Sequence, residues 1–137
     1  MPLFQIINVN VGGILSVTKA FLPFLKKTNT SSKGANVINI SSLLGSIAEN
    51  NAERSTSYRI SKAAVNMATK CFANENPDLN FISMHPGWVQ TDMGSSKNRK
   101  PPVPVPEAAR GIIATAENLD QSDSGSFWSF QGEKLPY

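Results

Sequence analysis

A chain of 137 residues with 40% hydrophobic and 17% charged residues has the make-up of one globular domain, too short for two of ordinary size and too apolar for a disordered segment. The formal net charge of +3 is scattered, and its small knots at Lys26-Lys27 and Lys97 to Lys100 have no aromatics between them, which argues against a nucleic-acid surface. A single cysteine, Cys71, excludes an internal disulfide and a cysteine-based zinc site; with no apolar run of membrane-spanning length and no basic leader at Met1-Pro2-Leu3-Phe4-Gln5, the expected home is the reducing cytoplasm.

From Asn10 to Lys27, Val11, Ile14, Leu15, Thr18, Leu22 and Leu25 recur at helical spacing. Gly12 and Gly13 weaken that helix and point to close approach by another backbone, and Pro23 should bend it or mark its last turns. Thr28 to Gly34 is a polar loop. Ala35 to Ile40 is a short β-branched run ending in Ser41-Ser42, with the continuous hydrophobicity of a parallel strand covered on both faces. After a loop from Gly45 to Ser55, a helix runs from the capping residues Ser55-Thr56-Ser57 to a polar stop at Asn74 to Pro77. Leu79 to Met84 is the second strand, broken by His85-Pro86-Gly87.

Trp88 to Pro106 is long and rich in Pro, Ser and Lys, as functional lids or mobile segments are. Pro106-Glu107 opens a third helix that runs to Asn118, Ser126 to Phe130 is a third strand, and Gln131 to Tyr137 is a tail. Helices alternating with strands predict an α/β layered fold with parallel strands and right-handed crossovers, in a single domain over residues 1–137. Ligands in such sheets bind beyond the carboxyl ends of the strands. That rule gathers Ser41-Ser42, His85-Pro86-Gly87 and the lid at 88–106 around one crevice.

The helix of residues 55–74 carries the chemistry. Tyr58 and Lys62 are one turn apart on one face, and with Asn66 and Thr69 they form a polar stripe, while Ile60, Ala64, Met67 and Cys71 form an apolar one for the core. Cys71 is therefore expected as an inert core thiol. A nearby ammonium favours a phenolate, which should lower the Tyr58 pKa toward the range where a general acid or base works. By itself Tyr-x-x-x-Lys more often marks a solvated helix face. Asn10 is equally a helix cap, and Ser41-Ser42 equally strand-end turn residues. His85 reads as structural, and Trp88 and Met93 as packing or substrate wall alike.

Four pieces in order resemble the short-chain dehydrogenase/reductase family: Asn8-Val9-Asn10-Val11-Gly12, Val37-Ile38-Asn39-Ile40-Ser41-Ser42, Tyr58 to Lys62 with Ala63-Ala64, and His85-Pro86-Gly87-Trp88-Val89-Gln90-Thr91-Asp92-Met93. His85 to Gly94 and Leu135-Pro136-Tyr137 are most similar to its C-factor and sniffer-like carbonyl reductase branch. The resemblance implies the C-terminal part of a doubly wound Rossmann-type parallel sheet, about three strands with flanking helices. It implies an NAD(P)-dependent oxidoreductase acting on a small carbonyl or alcohol substrate, with a tetrad of Asn10, Ser42, Tyr58 and Lys62. Tyr58 would be the general acid/base, Ser42 would hold the substrate oxygen, and Lys62 would hold the nicotinamide ribose. Asn10 would fix a water for proton supply. Ser41 competes for the serine role. Pro86, Gly87, Val89 and Thr91 would line the nicotinamide, and NADP is favoured over NAD. The family's N-terminal half, with its glycine-rich turn and cofactor-selecting residue, has no counterpart in this sequence. A chain without it is expected to be a weak enzyme or inactive, unstable or oligomeric. A homodimer through helices 11–27 and 58–74 is expected, with neither nucleic acid nor membrane as a partner. The alternative is a non-catalytic binding or signalling module built on the same fold.

Overall fold

The strand of residues 80–85 is the most deeply covered stretch of the chain, and the remaining elements are arranged about it. In the computed structural model, which describes residues 2–28, 35–51 and 53–137, this strand, β2 (Asn80–His85), is buried at every position but His85. β1 (Asn36–Ile40) pairs with it in parallel from Asn36↔Asn80 to Ile40↔Met84. On the other side β3 (Ser126–Ser129) runs parallel from Ile82↔Ser126 to His85↔Ser129. The result is a four-stranded sheet in the order β1-β2-β3-β4, and the α/β expectation holds.

The fourth strand, β4 (Lys134–Leu135), pairs antiparallel with β3 inside the stretch expected to be a plain tail. Two residues are too few to show a period in sequence. A hairpin closed by Ser129, whose N–H donates to Glu133 O at 2.8 Å and whose carbonyl accepts from Gly132 N at 3.1 Å, sets the pairing. Gly132 sits at φ 82°, a conformation that favours glycine.

Helices cover both faces, as a doubly wound sheet requires. The first starts earlier than its spacing indicated: α1 (Leu3–Ile7) leads through a π-helical turn at Asn8–Gly12 into α2 (Gly13–Thr28), with Pro23 inside it. Leu15, Leu22 and Leu25 of α2 pack on Phe72, Ala73, Leu79 and Phe81. α3 (Thr56–Glu75) lies on the same face. On the other face, Ile112 of α5 (Val105–Asn118) joins Ile82, Met84 and Leu119. The loop expected from Thr28 to Gly34 lies, past Thr28, outside the described residues.

Three expectations fail here, each for a physical reason. The stripes of α3 are exchanged: Asn66 and Thr69 are buried, while Ile60 is 45% exposed, Met67 65% exposed, and Cys71 is on the surface. Polar groups can face inward because each residue finds at least one partner, although Asn66 Oδ1 has none among the described residues. Thr69 Oγ1 donates to Val65 O at 2.8 Å and accepts from Asn39 Nδ2 at 3.0 Å. Asn66 Nδ2 reaches Gly45 O at 3.4 Å.

Gly12 and Gly13 meet no neighbouring backbone. A Cβ at Gly12 would touch only the Asn8 side chain, and one at Gly13 would have nothing within 4 Å, because Gly13 faces an open groove of 580 Å³ between α2 and β1. Finally, Leu3–Lys27 is one 25-residue helix whose apolar window has a mean hydropathy of 1.3, long and apolar enough by composition to cross a membrane. Only 6% of that window is buried, although the leucines named above are packed on the sheet.

Candidate active site

β1 delivers two serines to the crevice at its carboxyl end, and the structure treats them differently. Ser41 continues the ladder, its N–H donating to Met84 O at 2.8 Å, and is 2% exposed with Oγ donating to Lys62 O at 3.3 Å. Ser42 is half-buried and caps the short 3-10 turn Leu43–Gly45, accepting from Leu44 N at 3.2 Å. Its hydroxyl also lies near enough to the Tyr58 phenol to favour the phenolate. Gly45 then passes so close to α3 that a Cβ there would lie 2.6 Å from the Lys62 carbonyl carbon, a contact only glycine permits. That close approach seats the serine segment on the tyrosine helix.

On α3, Lys62 Nζ donates to Ile40 O at 2.9 Å and lies 5.7 Å from the centroid of the Tyr58 ring. Burial pushes the Tyr58 phenol above its usual 10.0, and the Ser42 hydroxyl draws it back in part. Burial also lowers the Lys62 ammonium from 10.5. The expected lowering of Tyr58 by its lysine is therefore not found. The ammonium sits at the ring face and against a carbonyl, and desolvation of the phenolate outweighs it.

Asn10 lies in the π-helical turn, and π-turns inside helices often occur at functional sites. Its amide donates to Ser61 Oγ at 2.9 Å, which in turn donates to Tyr58 O at 2.7 Å. Asn10 thus ties the first helix to the backbone of the tyrosine turn. Ser61, which carries this link, is not distinguishable in sequence from any helix serine.

The segment after β2 forms the neighbouring wall. Pro86, Gly87 and Val89 are half-buried at the carboxyl end of β2, beside the end of β1. Gly87 has φ 85°, with Phe130 where a Cβ would stand, at 2.8 Å. Thr91 caps α4 (Asp92–Ser95), its Oγ1 accepting from Gly94 N at 3.1 Å. The stretch expected as a lid is built rather than bare: Val89 and Val103 form a parallel bridge, Trp88 Nε1 donates to Gly94 O at 3.2 Å, and Arg99 to Met93 O at 3.0 Å. Trp88 and Met93 remain exposed. His85 Nδ1 is buried with no hydrogen-bond partner among the described residues, and burial lowers the imidazole pKa from 6.5, so the ring is neutral at pH 7. A hydroxyl, a phenol and an amine around one strand end can hold an oxygen and pass it a proton.

The comparisons with known proteins agree with one another. The family model described as short chain dehydrogenase matches residues 3–102. The C-signal protein of Myxococcus xanthus is 36% identical over 134 residues, covering 95% of this chain and 75% of that protein. The carbonyl reductase Sniffer of D. melanogaster superposes with a TM-score of 0.90 at 34% identity, over 98% of this chain and 57% of that one. An NADPH-bound carbonyl reductase from chicken fatty liver gives 0.89 and 35%, with the same coverage. The chain thus spans somewhat over half the length of these solved relatives.

Proposed function

The chain belongs to the short-chain dehydrogenase family, and on that premise we propose that it carries the proton-transfer and nicotinamide side of a carbonyl reductase or alcohol dehydrogenase site. The observation that carries this reading is the placement of Lys62 Nζ, 5.7 Å from the centroid of the Tyr58 ring and bonded to Ile40 O, at the carboxyl end of β1 where Ser42 follows. A nicotinamide dinucleotide, when bound, supplies or accepts the hydride. The remaining work belongs to this chain. Ser42 holds the substrate oxygen by its hydroxyl and stabilises the charge that develops there. Tyr58 gives that oxygen its proton in reduction and removes it in oxidation. A phenol held above 10.0 is fully protonated at neutral pH and ready to donate.

The residues present suit a nicotinamide ribose and ring. Lys62 has its donors at the strand end, and Pro86, Gly87, Val89 and Thr91 offer a wall of backbone and one hydroxyl beside it. Asn10 holds the tyrosine turn through Ser61, and a water fixed beside it would serve proton supply through Lys62. NADP is the favoured cofactor by likeness to the NADPH-bound chicken enzyme. The substrate is a small carbonyl or alcohol, and Trp88 and Met93, both exposed in the lid, would line its pocket.

The described residues hold no glycine-rich turn from a strand into a helix to cradle the pyrophosphate. These 137 residues alone should therefore bind NADPH more weakly than micromolar. A fluorescence titration of the purified chain checks this, and micromolar binding would refute it. In whatever context turnover is measured, Tyr58→Phe should lower kcat by about 10²- to 10⁴-fold with little change in cofactor binding. The name of the C-signal relative favours a second reading, a signalling module that keeps the fold without the reaction. Full biological activity of the Tyr58→Phe protein would select that reading over the first.

A further inference from the structure

The Ser46–Asn50 segment continues directly from the strand-end serines and their 3-10 turn, and the last residue of the sequence holds it in place. The Ala48 N–H donates to the main-chain oxygen of Tyr137 at 3.1 Å. Tyr137 is itself anchored twice on the β3 side of the sheet. Its ring stacks on Phe127, centroids 6.0 Å apart and planes 8° off parallel, and its hydroxyl donates to Gly125 O at 2.7 Å. Phe127 is 1% exposed and sits in the ladder between Ser83 and Leu135, so the ring rests on a fixed platform. At its other end the segment is fastened to α3 by the Gly45 approach to Lys62 and by Asn66 Nδ2 on Gly45 O.

We infer that Tyr137 is a positioning residue: it clasps the Ser46–Asn50 segment to β3 and thereby keeps the Ser42 hydroxyl in register with the Tyr58 phenol. The inference rests on the reading of Ser42 and Tyr58 as the reacting pair. Three contacts from one residue, to a strand, to the turn before that strand and to the serine segment, are more than tail packing requires. Tyr137 touches neither reacting group, so its effect must pass through the loop.

Tyr58 and Tyr137 are the only tyrosines, so any Tyr137 variant leaves Tyr58 as the one phenol, and phenolate absorbance follows its titration directly. Tyr137→Phe keeps the stack and the main-chain bond to Ala48, whereas Tyr137→Gly loses the stack. The Tyr58 midpoint should be higher in Tyr137→Gly than in Tyr137→Phe, by the same amount that Ser42→Ala raises it in the Tyr137→Phe protein. Adding Ser42→Ala to Tyr137→Gly should raise it no further, because the contact is already gone. The Ala48 amide should exchange about tenfold faster with solvent in Tyr137→Gly. Should that variant fail to fold, Ala48→Pro in the Tyr137→Phe protein deletes the donated N–H and should reproduce the rise. Equal midpoints in the Phe and Gly variants, with Ser42→Ala shifting both alike, overturn the positioning role. If Ser42→Ala shifts neither, the reacting pair itself is wrong, and Ala48 exchange then decides separately whether the clasp exists.

Discussion

Burial governs the ionisation of both phenols. It pushes Tyr137 from 10.0 to about 12, with Ser83 drawing it down in part, and raises Tyr58 as well. In Tyr58→Phe the remaining phenol should therefore titrate near 12, and a midpoint near 10.0 would show that the ring is not seated on Phe127. The sign of the linked stability follows. A phenol whose folded pKa is raised favours the fold fully below its unfolded value, so this contribution is lost as pH climbs from 10.0 through about 12. The lone histidine works in the opposite direction. His85 is lowered from 6.5 by burial, so its contribution is present above 6.5 and is lost as pH falls through the folded value. A proton NMR titration should place its midpoint below 6.5; a midpoint at 6.5 would mean that solvent reaches the ring, and one above it that a carboxylate does. The position of Tyr58 and Lys62 one turn apart on a helix, and of Ser42 at a strand end, was legible in the sequence. Their protonation was not, because it depends on depth beneath α3 and the loops, which no spacing records.

Element boundaries were legible to within a few residues wherever a single rule decided them. β1 follows from its β-branched run, β2 from the turn residues that end it and α5 from a proline-glutamate start. α3, in contrast, begins where its hydroxyl residues lie but without their caps, Ser55 standing at φ 65° with no side-chain cap bond. The inward face of α3 was not legible, since amphipathic spacing assumes that polar groups face water. Asn39, Thr69, Asn66 and Ser61 escape that assumption by bonding one another or the backbone. The exchange of faces has a measurable consequence. Met67→Ala removes an exposed side chain and should change stability by no more than about 0.5 kcal/mol. Thr69→Val strands the buried Asn39 amide and leaves shape almost unchanged, so it should cost about 1–3 kcal/mol. Denaturant unfolding of the two variants distinguishes them, and the reverse order would restore Ile60, Met67 and Cys71 to the core.

At the scale of the whole molecule, apolar surface gathers on one side. Val17 is 60% exposed, Phe21 58% and Val9 61%, and all three line the groove beside β1. β1 is the sheet's edge strand, and no described strand pairs with its outer side. A β-branched edge strand beside exposed aromatics is a surface that pairs or aggregates unless something covers it. The 137-residue chain should therefore self-associate in a concentration-dependent way, visible in sedimentation velocity as a weight-average mass rising above the monomer's 14.8 kDa. Phe21→Lys tests the location. At an exposed position the substitution should leave unfolding stability within about 0.5 kcal/mol, while a charge in the groove opposes its burial against any apolar surface. Association should weaken without loss of the folded signal. If the wild-type chain stays monomeric across the soluble range, the exposed groove carries no penalty. If Phe21→Lys unfolds the protein instead, the side chain belongs to the core and the groove is not the open surface described.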